Sequence, residues 1–453
     1  MDINPKDFGA VGDGKHLSTA AIQKSIDQCF KMGGGTVFLK DGVYLSGGLY
    51  LKSNVTLYID KSAKLIASGD ISDYGTDTHY NRYINETDMD RCFIYAVDCE
   101  NIGLMGNGEI NGNAEAFPNE GSIYRPMMIR FLRCRNIKVR DLRLYNSAAW
   151  TSAFLDSEDI YIDSLDIKND KRYNGDGLDF DGCQNVFVSN CKIYGTDDNL
   201  CLQSSSKEYD TSNIHITGCM FTSICAGIRI GLKSIGNIKN TVISNCTFKN
   251  IWREGIKIEC SEGGNISNIA VSNCIMENVR RPIFAILNNR FDIIGTSIEL
   301  KEMPKIGTMS DISFDNIIIS DTEEMKNTHI RFNDDIMGEP KFGGIRIDAN
   351  KDRKINGLSI TNLKYTAYGT VKKSEVDMPY PKVLDLTVDT VEDINGVKFI
   401  SENYYPTWSR ASHMDIRNVN DLYLANISLK LLNPDERDKY IIEDCSVLKQ
   451  EIF

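Results

Sequence analysis

Between residues 185 and 276 one pattern of apolar and polar positions recurs four times: NVFVSNCKI (185–193), NIHITGCMF (213–221), NTVISNCTF (240–248) and NIAVSNCIM (268–276). Within each copy apolar and polar residues alternate, the period of a strand. The cysteines of the four copies, Cys191, Cys219, Cys246 and Cys274, are spaced by 28, 27 and 28 residues. Two earlier copies carry leucine there, at Leu142 and Leu165. A strand returning every 22 to 28 residues, with Gly and Asn between copies, predicts one coil of a β-solenoid. The expected fold is all-β, a single right-handed parallel β-helix with an N-terminal capping helix. Equivalent side chains of successive coils then stack about 4.8 Å apart. The cysteines become an interior column of small apolar fillers, and the recurrent Asn residues form either an amide ladder or plain turns.

A second row aligns in the same register: DGLDFD (176–181), DNLCLQ (198–203), AGIRIG (226–231) and EGIKIE (254–259). Leu178, Leu200, Ile228 and Ile256 form one apolar column, and Phe180, Leu202, Ile230 and Ile258 another. The positions between them are expected to face outward. One exterior stripe carries Asp179, Cys201, Arg229 and Lys257; its neighbour carries Asp181, Gln203, Gly231 and Glu259.

Residues 18–32 read as a helix, with Ser18 or Thr19 as N-cap, an apolar stripe at Ile22, Ile26 and Phe30, and Gly33–Gly35 as terminator. It is expected to cover the open end of the solenoid. Beyond residue 290 the spacing loosens, with strands in DISFDNIIIS, GLSITNLKY, DLYLANISL and IIEDCSVL and an inserted loop at 322–345. The organisation expected is one domain over 1–453: a cap region at 1–35, regular coils at 36–320, and irregular coils and loops at 321–453.

A net charge of −12 argues against a nucleic-acid partner, whose phosphates want a basic face. No run of about 18 apolar residues suggests a membrane-spanning helix. The first residues contain no apolar signal-peptide core, so the expected location is cytoplasmic, or secreted if a leader was removed. Thirteen cysteines without paired CxxC motifs, and five scattered histidines, suggest no metal site and no cofactor. The expected partner is an oligosaccharide or polysaccharide; oligomeric state is not legible.

Chemistry concentrates just upstream of the second row. Asp176 lies on one coil, and Asp197 and Asp198 on the next. Three carboxylates so close repel one another, and one is expected to hold its proton more tightly. One carboxyl then donates a proton while another stays ionised, the division of labour in glycoside hydrolysis. The competing uses of such residues are Asx-rich turns and a calcium site.

DFGAVGDG (7–14), the helix with GGG, Arg125–Pro126, NSAAW (146–150), NGDGLD (174–179) and GTDD (195–198) occur in the order found in glycoside hydrolase family 28, which the chain resembles over residues 5–290. The resemblance implies a polygalacturonase-like β-helix enzyme. It makes Asp197 similar to the general acid, and Asp176 and Asp198 similar to the pair holding the attacking water, with inversion of configuration. Asn174, Arg229, Lys257 and Glu259 would bind substrate. Three departures stand out. Gly175 replaces the family threonine, Cys225 falls where the family has histidine, and Lys257-Ile258-Glu259 replaces Arg-Ile-Lys. A glutamate at 259 repels a uronate, so the expected substrate is a pectin-like or other plant oligosaccharide with a neutral sugar at that subsite; the lack of a signal-peptide core suggests trimming of short imported oligomers, and hence cleavage from one end. A polysaccharide lyase and a non-catalytic carbohydrate-binding β-helix are the rival readings. Trp150 and Tyr173 are further candidates for contacts with sugar, while His16, His79 and His413 have no motif around them.

Overall fold

The computed structural model describes residues 2–76, 78, 91–118, 124–289, 299, 301–302, 304–323, 331–332, 335–336, 343–350, 352–376, 392–394, 397–399 and 409–453. His79 and His329 lie outside the described residues, as does most of the loop expected at 322–345. The chain divides into two compact units, Met1–Cys201 with Thr211–Met220, and Leu202–Asp210 with Phe221–Phe453. The coils form a right-handed parallel β-helix. Among the described residues no helix is long and apolar enough to cross a membrane.

The regular coils of the first unit are built from three short strands. Met127–Leu132, Arg135–Arg140 and Arg143–Tyr145 are followed by Ser152–Leu155, Glu158–Asp163 and Asp166–Lys168, and these by Leu178–Asp181, Gln184–Ser189 and Lys192–Gly195. The period-2 alternation sets the register. Ile160 pairs with Val186 and Ile162 with Val188, all buried, while Tyr161 and Phe187 between them stay on the outer face. Each fully buried aliphatic side chain contributes about 1.5–3 kcal/mol, and the phenyl rings of Phe154 and Phe180 stack at 5.1 Å inside.

The recurrent asparagines do both things expected of them. Asn54, Asn101 and Asn136 take left-handed φ of 62°, 56° and 52°, and their amides form a ladder at 2.8 and 2.7 Å. Asn tolerates that conformation better than other residues carrying a side chain. The second unit repeats the device where Asn268 donates to Asn240 at 3.0 Å. All four repeat cysteines are buried free thiols, Cys191 and Cys219 in the first unit and Cys246 and Cys274 in the second. Each Sγ donates to the carbonyl two residues before it, at 3.2 to 3.4 Å.

Helix α1 spans Thr19–Lys31 with Ser18 at its N-cap, as expected. Its buried stripe is Ile22, Ile26 and Cys29, whereas Phe30, expected in that stripe, is 47% exposed. At 3.6 residues per turn the position after 22 and 26 falls nearer 29 than 30.

In the second unit Ile228 pairs with Ile256, Arg229 with Lys257, Ile230 with Ile258 and Gly231 with Glu259, the predicted alignment. Deeper in this unit Asp321 is enclosed, and among the described residues its carboxylate accepts from the Tyr368 N–H at 3.3 Å. Burial raises its pKa to about 8, against the weaker opposing pull of Arg437. An unfolded aspartate titrates near 4, so between about pH 4 and 8 the folded chain binds more protons than the unfolded one. Stability from this group is therefore present at low pH and lost as pH rises through that window. We expect the urea midpoint of Asp321→Asn to fall less than that of the wild type between about pH 5 and 8. Equal slopes in the two proteins would contradict this.

Candidate active site

The carboxylate cluster of the first unit sits on turns braced from neighbouring coils. Gly177 N–H donates to the Asp198 carbonyl at 3.1 Å and Leu178 N–H to that of Asn199 at 3.0 Å, which brings Asp176 beside Asp197–Asp198. Carboxylate oxygens of Asp176 and Asp198 and the Cys201 Sγ all lie within 4.8 Å of one another. Cys201 Sγ is 3.6 Å from Asp198 Oδ2. Asp176 and Asp198 are buried, while Asp197 is half-buried and accepts the Asp198 N–H at 2.9 Å. Two of the three carboxylates are thus enclosed, and the third, Asp197, is the more open one. Calcium takes six to eight oxygen ligands, and this set offers two carboxylates and a sulfur, a poor match for that ion.

Arg125, from the Arg-Pro motif, is the main brace of the Asp176 loop. Buried itself, it donates to the Tyr173 carbonyl at 2.6 Å, the Ala148 carbonyl at 3.3 Å and Asn174 Oδ1 at 2.7 Å. Asn174 therefore spends its carbonyl oxygen on the protein and takes a left-handed φ of 55°. Asn169 adds a second brace, accepting from Ser147 N–H at 2.9 Å and pointing its amide at the Asp176 carbonyl, 3.3 Å away. Sequence reasoning assigned neither Arg125 nor Asn169. Their bonds join residues separated in sequence by up to 49 positions, and only the Arg-Pro match hinted at one of them.

The glycine at 175 has a steric reason. A Cβ there would stand 2.4 Å from Thr196 Oγ1 and 2.9 Å from the Asn169 Cβ. Thr196 in turn bonds the Gly175 N–H at 3.1 Å and the Arg172 carbonyl, so the hydroxyl of the next coil occupies the space of a side chain at 175. We expect Gly175→Thr to lower kcat by about 10²-fold, the scale of an ångström of misplacement, and Thr196→Ala in the same protein to recover part of it. A single variant with normal kcat would contradict this packing account.

The second unit holds the cationic residues. Lys257 Nζ lies 3.0 Å from Glu259 Oε2, and Arg229 Nη2 lies 3.5 Å from the same oxygen. Two cations thus share one glutamate. The side chains of Lys257 and Glu259 are 1% and 2% exposed, that of Arg229 11%. On the next position of this row Glu254, fully enclosed, is ion-paired with Arg281 at 2.6 Å and Arg253 at 3.5 Å. Arg253 also donates to Cys225 Sγ at 3.4 Å, so a thiol accepts a guanidinium N–H at the position where histidine was expected from the family.

These positions correct the expected exterior stripes. Asp179, Asp181, Cys201, Gln203, Lys257 and Glu259 are not open to solvent; all are at most 6% exposed. Facing away from the apolar interior did not mean facing water; for Glu259 the enclosing partners include Arg229 of the neighbouring coil. Trp150 is likewise a core residue, packed with Cys92, Tyr95, Met127, Leu132 and Leu155 rather than presenting a face to a sugar. Tyr173 is half-buried and contributes its carbonyl to Arg125. Of the histidines, His16 pairs with Asp13 at 2.7 Å on the surface, and His413 is buried against Tyr365.

The sequence model of glycosyl hydrolases family 28 matches residues 35–367, and the chain belongs to that family as a polygalacturonase-like member. It is 30% identical over 224 residues to a probable polygalacturonase of Vitis vinifera, covering 45% of this chain and 44% of that one. It is 26% identical over 250 residues to an exo-poly-alpha-D-galacturonosidase of Dickeya chrysanthemi, covering 44% and 41%. The alignments thus span less than half the length of these two curated relatives. The exopolygalacturonase of Thermotoga maritima superposes with a TM-score of 0.67 at 20% identity, over 81% of this chain and 87% of that one, a likeness of fold.

Proposed function

We propose that the protein hydrolyses glycosidic bonds of pectin-like oligosaccharides from one chain end, with inversion of configuration. The observation that carries this reading is the set formed by Asp176, Asp198 and Cys201, bordered by the more open Asp197, in a chain of family 28. In this reading Asp176 and Asp198 hold and deprotonate the attacking water. Asp197 protonates the departing oxygen, the division of roles in inverting enzymes. Exo action draws support from relatives named as exo-acting enzymes of polygalacturonate.

The repulsion expected from Glu259 loses its premise, since its charge is taken up by Lys257 and Arg229. Of the three, Arg229 has the most exposed side chain, at 11%. We therefore assign substrate contact to Arg229, with Lys257 and Glu259 positioning it. A glutamate ion-paired to two cations repels a uronate less than an isolated one, so the reading proposed here places a uronate at this subsite in place of the neutral sugar expected from sequence. The test is product analysis on defined oligogalacturonates and neutral pectic oligosaccharides. Release of a single short product from one end of an oligogalacturonate is expected. A ladder of internal fragments would refute exo action, an unsaturated product would establish a lyase, and turnover restricted to neutral oligomers would restore the preference set aside here.

A further inference from the structure

We propose that Cys99 and Cys134 are a redox-active pair, oxidised by a low-molecular-weight disulfide to a Cys99–Cys134 bridge between two consecutive coils of the first unit. The pairing of strands places them together. Glu100 and Arg135 are partners in adjacent parallel strands, so Cys99 and Cys134 occupy the same position one residue earlier. The Arg135 N–H donates to the Cys99 carbonyl at 2.9 Å, which holds the two backbones at that point. Neighbouring strands stand about 4.8 Å apart, inside the range of roughly 4.4–6.8 Å that a disulfide spans between Cα atoms. Both thiols point the same way, Cys99 Sγ to the Val97 carbonyl at 3.2 Å and Cys134 Sγ to the Leu132 carbonyl at 3.3 Å. The next position of this column is Ser157, whose hydroxyl accepts the Cys134 N–H, so the column offers Cys134 no thiol partner on that side.

Cys99 also has a way in for a reagent. It lines a cavity of about 250 Å³ together with Phe30, Tyr50, Lys52, Tyr95 and Asp98, under the C-terminal end of α1. The outward-turned Phe30 that departs from the helix stripe is one wall of this cavity. The environment separates the roles of the two sulfurs. The neighbouring Cys134 thiol holds the Cys99 pKa below the ordinary thiol value despite burial, with help from Ser53 and the Lys52 ammonium. Cys134 is pushed the other way by the same contact and by its own burial. The thiolate is the nucleophile in thiol–disulfide exchange. Cys99 thiolate attacks one sulfur of the small disulfide, forming a mixed disulfide and releasing one small thiol, which takes up a proton. Cys134 then loses its proton and attacks Cys99 Sγ, releasing the second small thiol. Two protein thiols are oxidised and one external disulfide is reduced.

The test uses the full chain, reduced, folded and then exposed to oxidised glutathione, followed by acid quench, alkylation and peptide mapping by mass spectrometry. The expected product links the Cys99 and Cys134 peptides, while Cys191, Cys219, Cys246 and Cys274 stay reduced in the core. Cys134→Ser should instead retain a glutathione adduct on Cys99. Cys445 is the internal reference: it is more exposed than Cys99, but burial of its thiol raises its pKa. Oxidation of Cys99 ahead of Cys445 supports the pair. Modification of Cys445 with Cys99 left reduced, or a Cys99 adduct in the wild type that never resolves to the link, overturns it.

Discussion

Asp197→Asn lowers kcat by at least about 10²-fold, the scale of assistance from a positioned general acid. Asparagine keeps the size and the hydrogen bond to the Asp198 N–H, now 2.9 Å long, through its own carbonyl oxygen. What it loses is the transferable proton. The leaving oxygen must then depart as an alkoxide or wait for solvent, so the loss falls on kcat, with KM little changed. Asp176→Asn and Asp198→Asn act on the other side of the proposed reaction, since each removes half of the pair within 4.8 Å to which we assign the orientation and deprotonation of water. Their losses should also be severe. A substrate whose leaving group needs no protonation, such as an activated aryl glycoside, separates the two roles: it should rescue Asp197→Asn and leave Asp176→Asn inactive. Equal responses of the two variants to leaving group would assign the acid to another residue.

Arg281→Met should cost up to about 3 kcal/mol of folding stability, below the roughly 3–5 kcal/mol of a buried charge left with no partner, because other cations remain beside Glu254. Glu254 is fully enclosed, and burial alone would raise its pKa. Arg281, Arg253, Lys257 and Arg229 outweigh that effect and bring it to about 2. With Arg281 removed, the carboxylate keeps Arg253 at 3.5 Å as its ion-pair partner in the second unit. The same group governs acid sensitivity. Its folded pKa lies below the unfolded value of about 4.3, so its contribution is fully present above that pH and is lost as pH falls towards 2. In urea unfolding, Arg281→Met should therefore be much weaker than the wild type near neutrality, with the gap narrowing below about pH 4. A neutral-pH loss under about 1 kcal/mol, or a gap that widens in acid, would contradict this account of the charge network.

The parts of the fold readable from sequence are those encoded by local periodicity. Alternation placed Val186 and Val188 inside, the 28-residue spacing placed Cys246 and Cys274 inside, and the ungapped second row placed Arg229 beside Lys257. The fate of the outward-facing positions was not readable by the same means. The partner that encloses Glu259 includes Arg229, 30 residues away, and the loop bearing Asp176 is held by Arg125, 49 residues from Asn174. Alternation states which side of the strand a residue occupies, not what lies above it. Glu259 shows the consequence. From sequence it is an anion at a subsite with Arg229 one coil before it; in the fold it is the shared counter-ion of Arg229 and Lys257, which changes the substrate inference. Gly175 gives the converse case, a departure from the family pattern that becomes intelligible only beside Thr196 on the following coil.

The acid cluster acting as an inverting hydrolytic centre is the central claim, and the anomeric form of the first product tests it most directly. Proton NMR of the wild-type protein with an α-linked oligogalacturonate, followed from the first minutes before mutarotation, should show the new reducing end appearing as the β anomer. Inversion follows if water held between Asp176 and Asp198 attacks while Asp197 protonates the leaving oxygen on the opposite face. First appearance of the α anomer would mean a covalent glycosyl intermediate, and with it a nucleophilic carboxylate in place of the water-holding pair.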